Sequence, residues 1–365
     1  MKKRHIAYYI TAHGYGHGVR SCDILGALLA AHPGTKVTVT TDLPESFLRS
    51  RLPFSDGRLV VRPGAFDIGM VQKDSIGVDV GATLEKALKL LEVRPKLVDY
   101  EAEMLSGESA DLVVADIPSI PIEAAAKAGV PAVAVGNFSW DWIYSPFVVR
   151  DPRWRQVIQL FEEGYRESGL LLKLPFSPSM SVFPKHVDIP LLAKPGRSRR
   201  AELAKLTGAD ETKRWVLLSF TALYWNEAAL REVEAFGDFE FLTVKPLDWP
   251  GRRNIHSIDR MKIGFSDVLA SSDMVVTKPG YGILSDCVVN AKPIIYVERE
   301  DFIEYPLLKR ELKRFLRNVH IPAVELYAGR LGAALAAVES APAPKETLAS
   351  GGAEKAAEIL MRGGA

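Results

Sequence analysis

Short apolar runs alternate along the first half of the chain with stretches whose apolar residues recur at helical spacing. His5–Ile10, Lys36–Thr41, Arg58–Arg62, Asp111–Ala115 and Val130–Val135 read as five strands. Residues 19–31, about 82–105 and 119–128 read as helices between them. Stop signals sit where they should: His32-Pro33-Gly34 ends the first helix and Gly129 the third. The strands lack polar alternation, as expected when both faces of a parallel sheet are covered, so a doubly wound α/β sheet is indicated. With strand order 3-2-1-4-5, the carboxyl ends of strands one and four border the point where open α/β sheets bind ligands. Residues 66–81 follow no period and are left unassigned.

The same rhythm returns after a proline-rich stretch running from Pro175 through Pro195 to Arg197-Ser198-Arg199-Arg200. Residues 215–220, 240–244, 273–276 and 292–297 read as strands, with helices at about 226–236, 265–271 and 329–338. The expected domains are 1–185, a linker at 186–200, a second Rossmann-like domain at 201–343, and a terminal segment, 344–365. Its helix, from about Ala353 to Met361, is expected to cross back onto the first domain.

Two strand-to-helix turns carry glycines. In Thr11-Ala12-His13-Gly14-Tyr15-Gly16-His17-Gly18-Val19-Arg20, the backbone turns sharply toward a helix start, and two histidines offer proton exchange near neutral pH. The same glycines would also serve close packing of a helix on a sheet, and the strict dinucleotide fingerprint fails at Val19. The expected topology lets His17 meet Asp116 at the end of the fourth strand, the carboxylate setting the imidazole tautomer. Asp116 equally suits a turn before Pro118. In Thr277-Lys278-Pro279-Gly280-Tyr281-Gly282-Ile283-Leu284-Ser285-Asp286, the Gly280 and Gly282 backbone, the helix start and Lys278 would receive a diphosphate, with Asp286 one turn on for a ribose. An ordinary tight turn with a first-turn acid is the plainer alternative.

Other features divide the same way. Asp42 and Glu45 have capping-box spacing for a helix starting at Leu43-Pro44, whereas in a nicotinamide-binding fold Asp42 would hold a ribose. Ser119 is expected to cap the helix that follows it. The aromatics of residues 137–144 suit a sugar or lipid surface as well as a core plug.

Composition narrows the partners. Among 365 residues 25% are charged and the net charge is +1, so no general electrostatic case for nucleic acid arises. Cys22 and Cys287 are far apart, with no metal-ligand spacing, which fits a reducing cytoplasm. No apolar run approaches a membrane span, although peripheral membrane contact stays open. No Asp-x-Asp signal for a diphosphate-bound metal occurs, so neither a metal nor a cofactor is expected.

With one glycine turn in each half, the chain resembles the two-domain nucleotide-sugar glycosyltransferases of GT-B fold, α/β proteins whose two doubly wound domains face a cleft. More closely, Thr11–Arg20, Asn137–Tyr144 and Lys278–Ser285 look like the glycosyltransferase-like amino-terminal region of L-arabinokinases and related bacterial proteins. The resemblance implies a hexose-type transfer from a nucleoside-diphosphate sugar, with uridine diphosphate the leading carrier, to a hydroxyl of a small-molecule, glycan or lipid-linked acceptor. It implies His17, oriented by Asp116, as the base. His13, Gly14, Gly16, Arg20, Asn137 and Trp140 would lie on the acceptor side. Ser219, Thr221, Lys278, Gly280, Gly282, Ser285, Asp286, Arg299 and Glu304 would lie on the donor side, with Arg299 and Glu304 facing the sugar. Asp286 stands where many members have glutamate. A sugar-nucleotide epimerase or a non-catalytic nucleotide-sugar-binding domain would share this architecture. Kinase activity belongs to a separate domain of arabinokinases and is not expected.

Overall fold

The computed structural model describes residues 4–54, 56–72 and 77–363, which form two units. The first unit, 4–71, 79–192 and 349–363, holds seven parallel strands: β1 (Arg4–Ile10), β2 (Thr35–Thr40), β3 (Leu59–Arg62), β4 (Leu112–Asp116), β5 (Ala132–Gly136), β6 (Leu170–Lys173) and β7 (His186–Asp188). Their order is β3-β2-β1-β4-β5-β6-β7, the expected arrangement extended by two strands. Ile10 pairs with Asp116, which puts the ends of β1 and β4 side by side. The interiors of β1, β4 and β5 are buried without alternation, which is why their sequences are near-continuous apolar runs.

The second unit, built from 193–348, holds six parallel strands in the order β10-β9-β8-β11-β12-β13. These are β8 (Arg214–Ser219), β9 (Phe239–Val244), β10 (Ile255–Ile258), β11 (Met274–Thr277), β12 (Ile294–Val297) and β13 (Asn318–Ile321). Strands β10 and β13 lie at the sheet edges. With His256, Ser257 and His320 in short segments, neither has an apolar run long enough to betray it. The charged stretch after β12 contains the helix Glu304–Phe315, whose buried Leu307, Leu308, Leu312 and Phe315 lie on one face.

Several local expectations change. The first helix spans Tyr15–Ala31, so it begins inside the glycine loop, with Gly14 at φ +88° before it. Asp42 caps no helix: its carboxylate accepts from the Gly64 backbone N–H at 3.0 Å, while the Thr41 hydroxyl accepts from Leu43 N–H at 3.2 Å. The helix Glu45–Arg51 starts after Pro44 without a side-chain cap. Ser119 precedes the helix Ile120–Ala128, but its buried hydroxyl makes no capping bond. In the stretch read as linker, His186–Asp188 forms the edge strand β7. Prolines on either side of this three-residue strand hide it.

The helix Gly352–Met361 belongs to the first unit. Ala353, Ala356, Ala357 and Leu360 share a core with Ile24, Leu25 and Leu28 of the first helix. The chain is fastened there by Leu191 N–H to Ala349 O (2.9 Å) and Gly352 N–H to Leu191 O (3.0 Å).

Candidate functional site

In the first unit the carboxyl ends of β1, β4 and β5 bring one charged group together. Asp116 is fully buried and ends β4, and Thr11, just past β1, donates its N–H to the Asp116 carbonyl at 2.8 Å. His17 and Ser21, one helical turn apart, both point to the Asp116 carboxylate. His17 Nδ1 lies 2.8 Å from Oδ1, and Ser21 Oγ donates to Oδ2 at 2.7 Å. Arg20, on the same helix face, donates Nε to Oδ2 at 2.8 Å and a second N–H to Oδ1. Asn137, just past β5, accepts from Arg20 and donates Nδ2 to Pro175 O at 2.6 Å.

This wiring sets the protonation states. Burial alone would raise the Asp116 pKa, but the Arg20 charge and the contact with His17 outweigh it and hold the carboxyl well below its usual range. The His17 pKa is lowered, first by burial and then by the Arg20 charge, against the pull of Asp116. His17 is therefore a neutral imidazole at neutral pH. Its Nδ1 contacts both Asp116 and an Arg20 nitrogen 2.8 Å away, and only one contact can use the ring proton. An ionised carboxylate is acceptor-only and Arg20 has other acceptors, so the proton belongs on Nδ1, donated to Asp116. That tautomer leaves Nε2 as the basic nitrogen, the arrangement a general base needs.

The sequence-derived residues around this group fall into two classes. Around Gly14 and Gly16 the space is open, whereas an added Cβ at Gly18 would meet Leu43 and Phe47 at 2.6 and 2.7 Å. Gly18 is thus the packing glycine, and the other two line the free side of the loop. Arg20 and Asn137 are spent on holding Asp116 rather than facing outward. Trp140 is only 1% exposed, stacked on Tyr144 at 5.5 Å, and presents no open ring face. Its Nε1–H goes to Asp67 at 2.8 Å. His13 meets the Trp140 ring edge-on, as His17 meets Phe138.

Asp67 is the residue sequence reasoning missed. It lies past β3 in the unassigned stretch and accepts from Trp140 and the Thr11 hydroxyl. Burial pushes its pKa up to about 6, since two neutral donors compensate a carboxylate less than an arginine does. The loop is pressed against the histidines: Tyr144 OH donates to Gly69 O at 2.9 Å, and an added Cβ at Gly69 (φ +60°) would lie 2.2 Å from the His13 ring. No periodic pattern marks this loop. Ser21 was missed as well, although its place one turn beyond His17 was a signal that could have found it.

In the second unit, β8 and β11 are neighbours and Ser219 pairs with Thr277, whose hydroxyl donates to the Ser219 carbonyl at 2.8 Å. Thr221 is exposed just beyond. The helix Tyr281–Val289 starts after Gly280 with no side-chain cap and no acidic residue in its first turn. A helix start without a side-chain cap or first-turn acid is where an anion is favoured, and Lys278 lies two residues before the cap. Gly280 has φ −157°, ordinary extended backbone, and an added Cβ at Gly282 would meet nothing. These glycines matter for the room they leave rather than for a strained turn. Asp286 is half-buried on that helix. The Ser285 hydroxyl proton is committed to Tyr281 O at 2.9 Å, which leaves it only acceptor capacity toward a ligand. Past β12, Arg299 reaches back to the turn, donating to Pro279 O at 3.4 Å, and Glu304 lies close enough to feel both Arg299 and Lys278. Among the described residues, no cluster of three or more His, Cys, Asp or Glu side chains is placed to hold a metal ion. Among the same residues, no helix is long and apolar enough to cross a membrane.

Two solved structures share this architecture along the whole chain. The kitacinnamycin glycotransferase matches with TM-score 0.67 and 18% identity, covering 99% of both chains. UGT89C1 of Arabidopsis thaliana, solved with quercetin, matches with TM-score 0.66 and 16% identity, again over 99% of both. The chain has the GT-B glycosyltransferase fold. UGT71G1 of Medicago truncatula, solved with UDP-glucose, shares the GT-B fold at TM-score 0.61 and 12% identity, over 99% of this chain and 94% of that one. By sequence, this GT-B chain is similar to the L-arabinokinase of Arabidopsis thaliana, 32% identical over 337 residues. The match takes in 89% of this chain and spans 31% of the arabinokinase's length. No protein-family model matches the chain.

Proposed function

We propose that the chain is a metal-independent glycosyltransferase that moves a hexose-type sugar from a uridine-diphosphate sugar to a hydroxyl acceptor. The observation that carries this reading is the buried Asp116 holding His17 as a neutral imidazole with Nε2 basic. In the proposed step His17 Nε2 takes the acceptor hydroxyl proton as the oxygen bonds to the anomeric carbon. The bond from that carbon to the diphosphate breaks, and its electron pair leaves with the diphosphate. Lys278 and the N–H groups at the start of helix Tyr281–Val289, which carries no side-chain cap, receive the growing negative charge. Asp286 takes the ribose. The neighbours solved with UDP-glucose and with quercetin supply the first probes.

The test is release of UDP from UDP-glucose in the presence of quercetin and of simple sugar acceptors, with chelator added. His17→Gln should lower the rate by about a hundredfold or more while UDP binding is retained. Turnover of that variant near the wild-type rate would remove His17 as the base. Conversion of the sugar nucleotide with no acceptor present would instead make the chain an epimerase, and nucleotide binding without turnover a binding domain.

A further inference from the structure

The second unit contains a guanidinium whose hydrogen bonding is incomplete. Arg299 stands past the end of β12, stacked on Phe302 with its Cζ 3.2 Å from the ring centroid. One Nη donates to Pro279 O at a long 3.4 Å, and its Nε is buried with no partner. Burial draws its pKa down to about 10, a large displacement for an arginine. The side chain as a whole is half-buried, so it is the enclosed, unpaired Nε–H that costs free energy, and a ligand oxygen reaching it would remove that cost. The position identifies the ligand's chemistry. Pro279 is the residue between Lys278 and the Gly280 cap, so the guanidinium lies against the uncapped start of helix Tyr281–Val289, where backbone N–H groups and Lys278 already favour an anion. Glu304, the carboxylate nearest in effect, has its own pKa raised by burial and so opposes an anion less than an exposed acid would.

We propose that Arg299 is the receptor for a donor oxyanion, acting beside Lys278 as a second fixed cation of the nucleotide-sugar site. This rests on the reading of the second unit as the donor-binding half. Two groups of a sugar nucleotide have the right chemistry: an oxygen of the β-phosphate and a carboxylate on a uronic sugar. Guanidinium suits either, because its planar donors match two oxygens at once.

The experiment is calorimetric titration of the full chain and of Arg299→Met and Arg299→Lys with UMP, UDP, UDP-glucose and UDP-glucuronate, together with thermal unfolding of each ligand-free protein. Arg299→Met is expected to bind the responsible ligands at least about tenfold more weakly, with Arg299→Lys in between. Without ligand, each variant should still unfold in a single cooperative transition, and Arg299→Lys should melt near the wild type, which separates a loss of binding from a loss of fold. Loss with UDP and UDP-glucose but not UMP assigns the β-phosphate; loss with UDP-glucuronate alone assigns the sugar carboxylate. Unchanged affinity for all four in a folded Arg299→Lys or Arg299→Met overturns the proposal and makes Arg299 structural. If the wild type binds none of the four, the donor-site reading itself falls, and this inference with it.

Discussion

Replacing Arg20 by methionine should reverse the electrostatics of His17. In the wild type one Arg20 nitrogen lies 2.8 Å from His17 Nδ1, and burial and this charge together keep the imidazole neutral. A unit charge at about 4 Å in an effective dielectric of about 20 is worth about 4 kcal/mol, or about three pKa units. Guanidinium charge is spread over several atoms and water enters the vacated space, so an upward shift of at least about one unit is expected. Asp116 adds to it. With 0% exposure and its arginine gone, its carboxylate regains a counter-charge most directly by protonating His17. The variant should lose about 3–5 kcal/mol at a pH where His17 is neutral and recover part of that on acidification.

The sign can be read independently. A folded-state pKa below the ordinary histidine value makes the folded wild type bind fewer protons than the unfolded chain, so this group's contribution is lost as pH falls through about 6.5. In Arg20→Met the folded pKa moves upward toward or past the unfolded one, so the loss of stability on acidification shrinks or changes sign. Imidazole NMR titration, with the His17 signal among the seven histidines identified by its absence in His17→Gln, measures the shift. Urea unfolding at about pH 5.5 and about pH 8 measures the slope. A His17 pKa in Arg20→Met at or below that of the wild type, or an unchanged stability slope, would refute the account of the charge set.

Three further changes probe the first unit. Asp67→Asn should gain on the wild type by about 2–3 kcal/mol as pH rises from about 4 to about 7, because a carboxyl held at about 6 penalises the folded state only once it must ionise; denaturant melts across that range measure it, and a constant difference would show Asp67 to be unstrained. Gly69→Ala puts a Cβ 2.2 Å from the His13 ring at φ +60° and should cost about 2 kcal/mol or more, seen as a lower unfolding midpoint and a displaced His13 resonance. Leu360→Ala, at 0% exposure in the terminal helix, should destabilise the first unit by about 2–5 kcal/mol; unfolding of the helix alone, with the His17 environment unchanged by NMR, would show the helix to be an appendage.

The sheet order and the two glycine turns were legible because parallel strands covered on both faces are written as unbroken apolar runs, and because turns at their carboxyl ends are where helices begin. The meeting of His17 and Asp116 followed from topology alone: Ile10 and Asp116 are register partners, so residues just beyond them converge. What stayed hidden depends on contacts between residues distant in sequence. Arg20 was read as facing an acceptor, yet its three-residue offset from His17 makes it the counter-charge of the same carboxylate. Trp140 was placed on the acceptor side with a core plug as the alternative, and its burial against Tyr144 gives the plug, a choice made by packing that no local pattern encodes. Asp42 had the spacing of a cap, but the Thr41 hydroxyl took the Leu43 N–H and left Asp42 to the Gly64 N–H. Asp67 sits in a loop without periodicity, held by residues 56 and 73 positions away.

The charge balance of each unit bears on which substrate half it would serve. Around Asp116 the set is closed: one carboxylate, one guanidinium and a neutral imidazole sum to zero, every Asp116 oxygen is bonded, and the nearby Asp67 adds only negative charge. Such a site has nothing to offer an anion and suits a neutral hydroxyl whose proton can pass to nitrogen. Around the turn before Tyr281 two cations, Lys278 and Arg299, stand with two carboxyls, Glu304 and Asp286, and what sets this group apart is a helix start without a side-chain cap and an Arg299 Nε with no partner. In the proposed reaction a diphosphate would be received by that helix start and those cations, whereas the carboxylates of the first unit would repel it. The proposed assignment of acceptor to the first unit and donor to the second thus draws on electrostatics internal to each as well as on the resemblance in sequence.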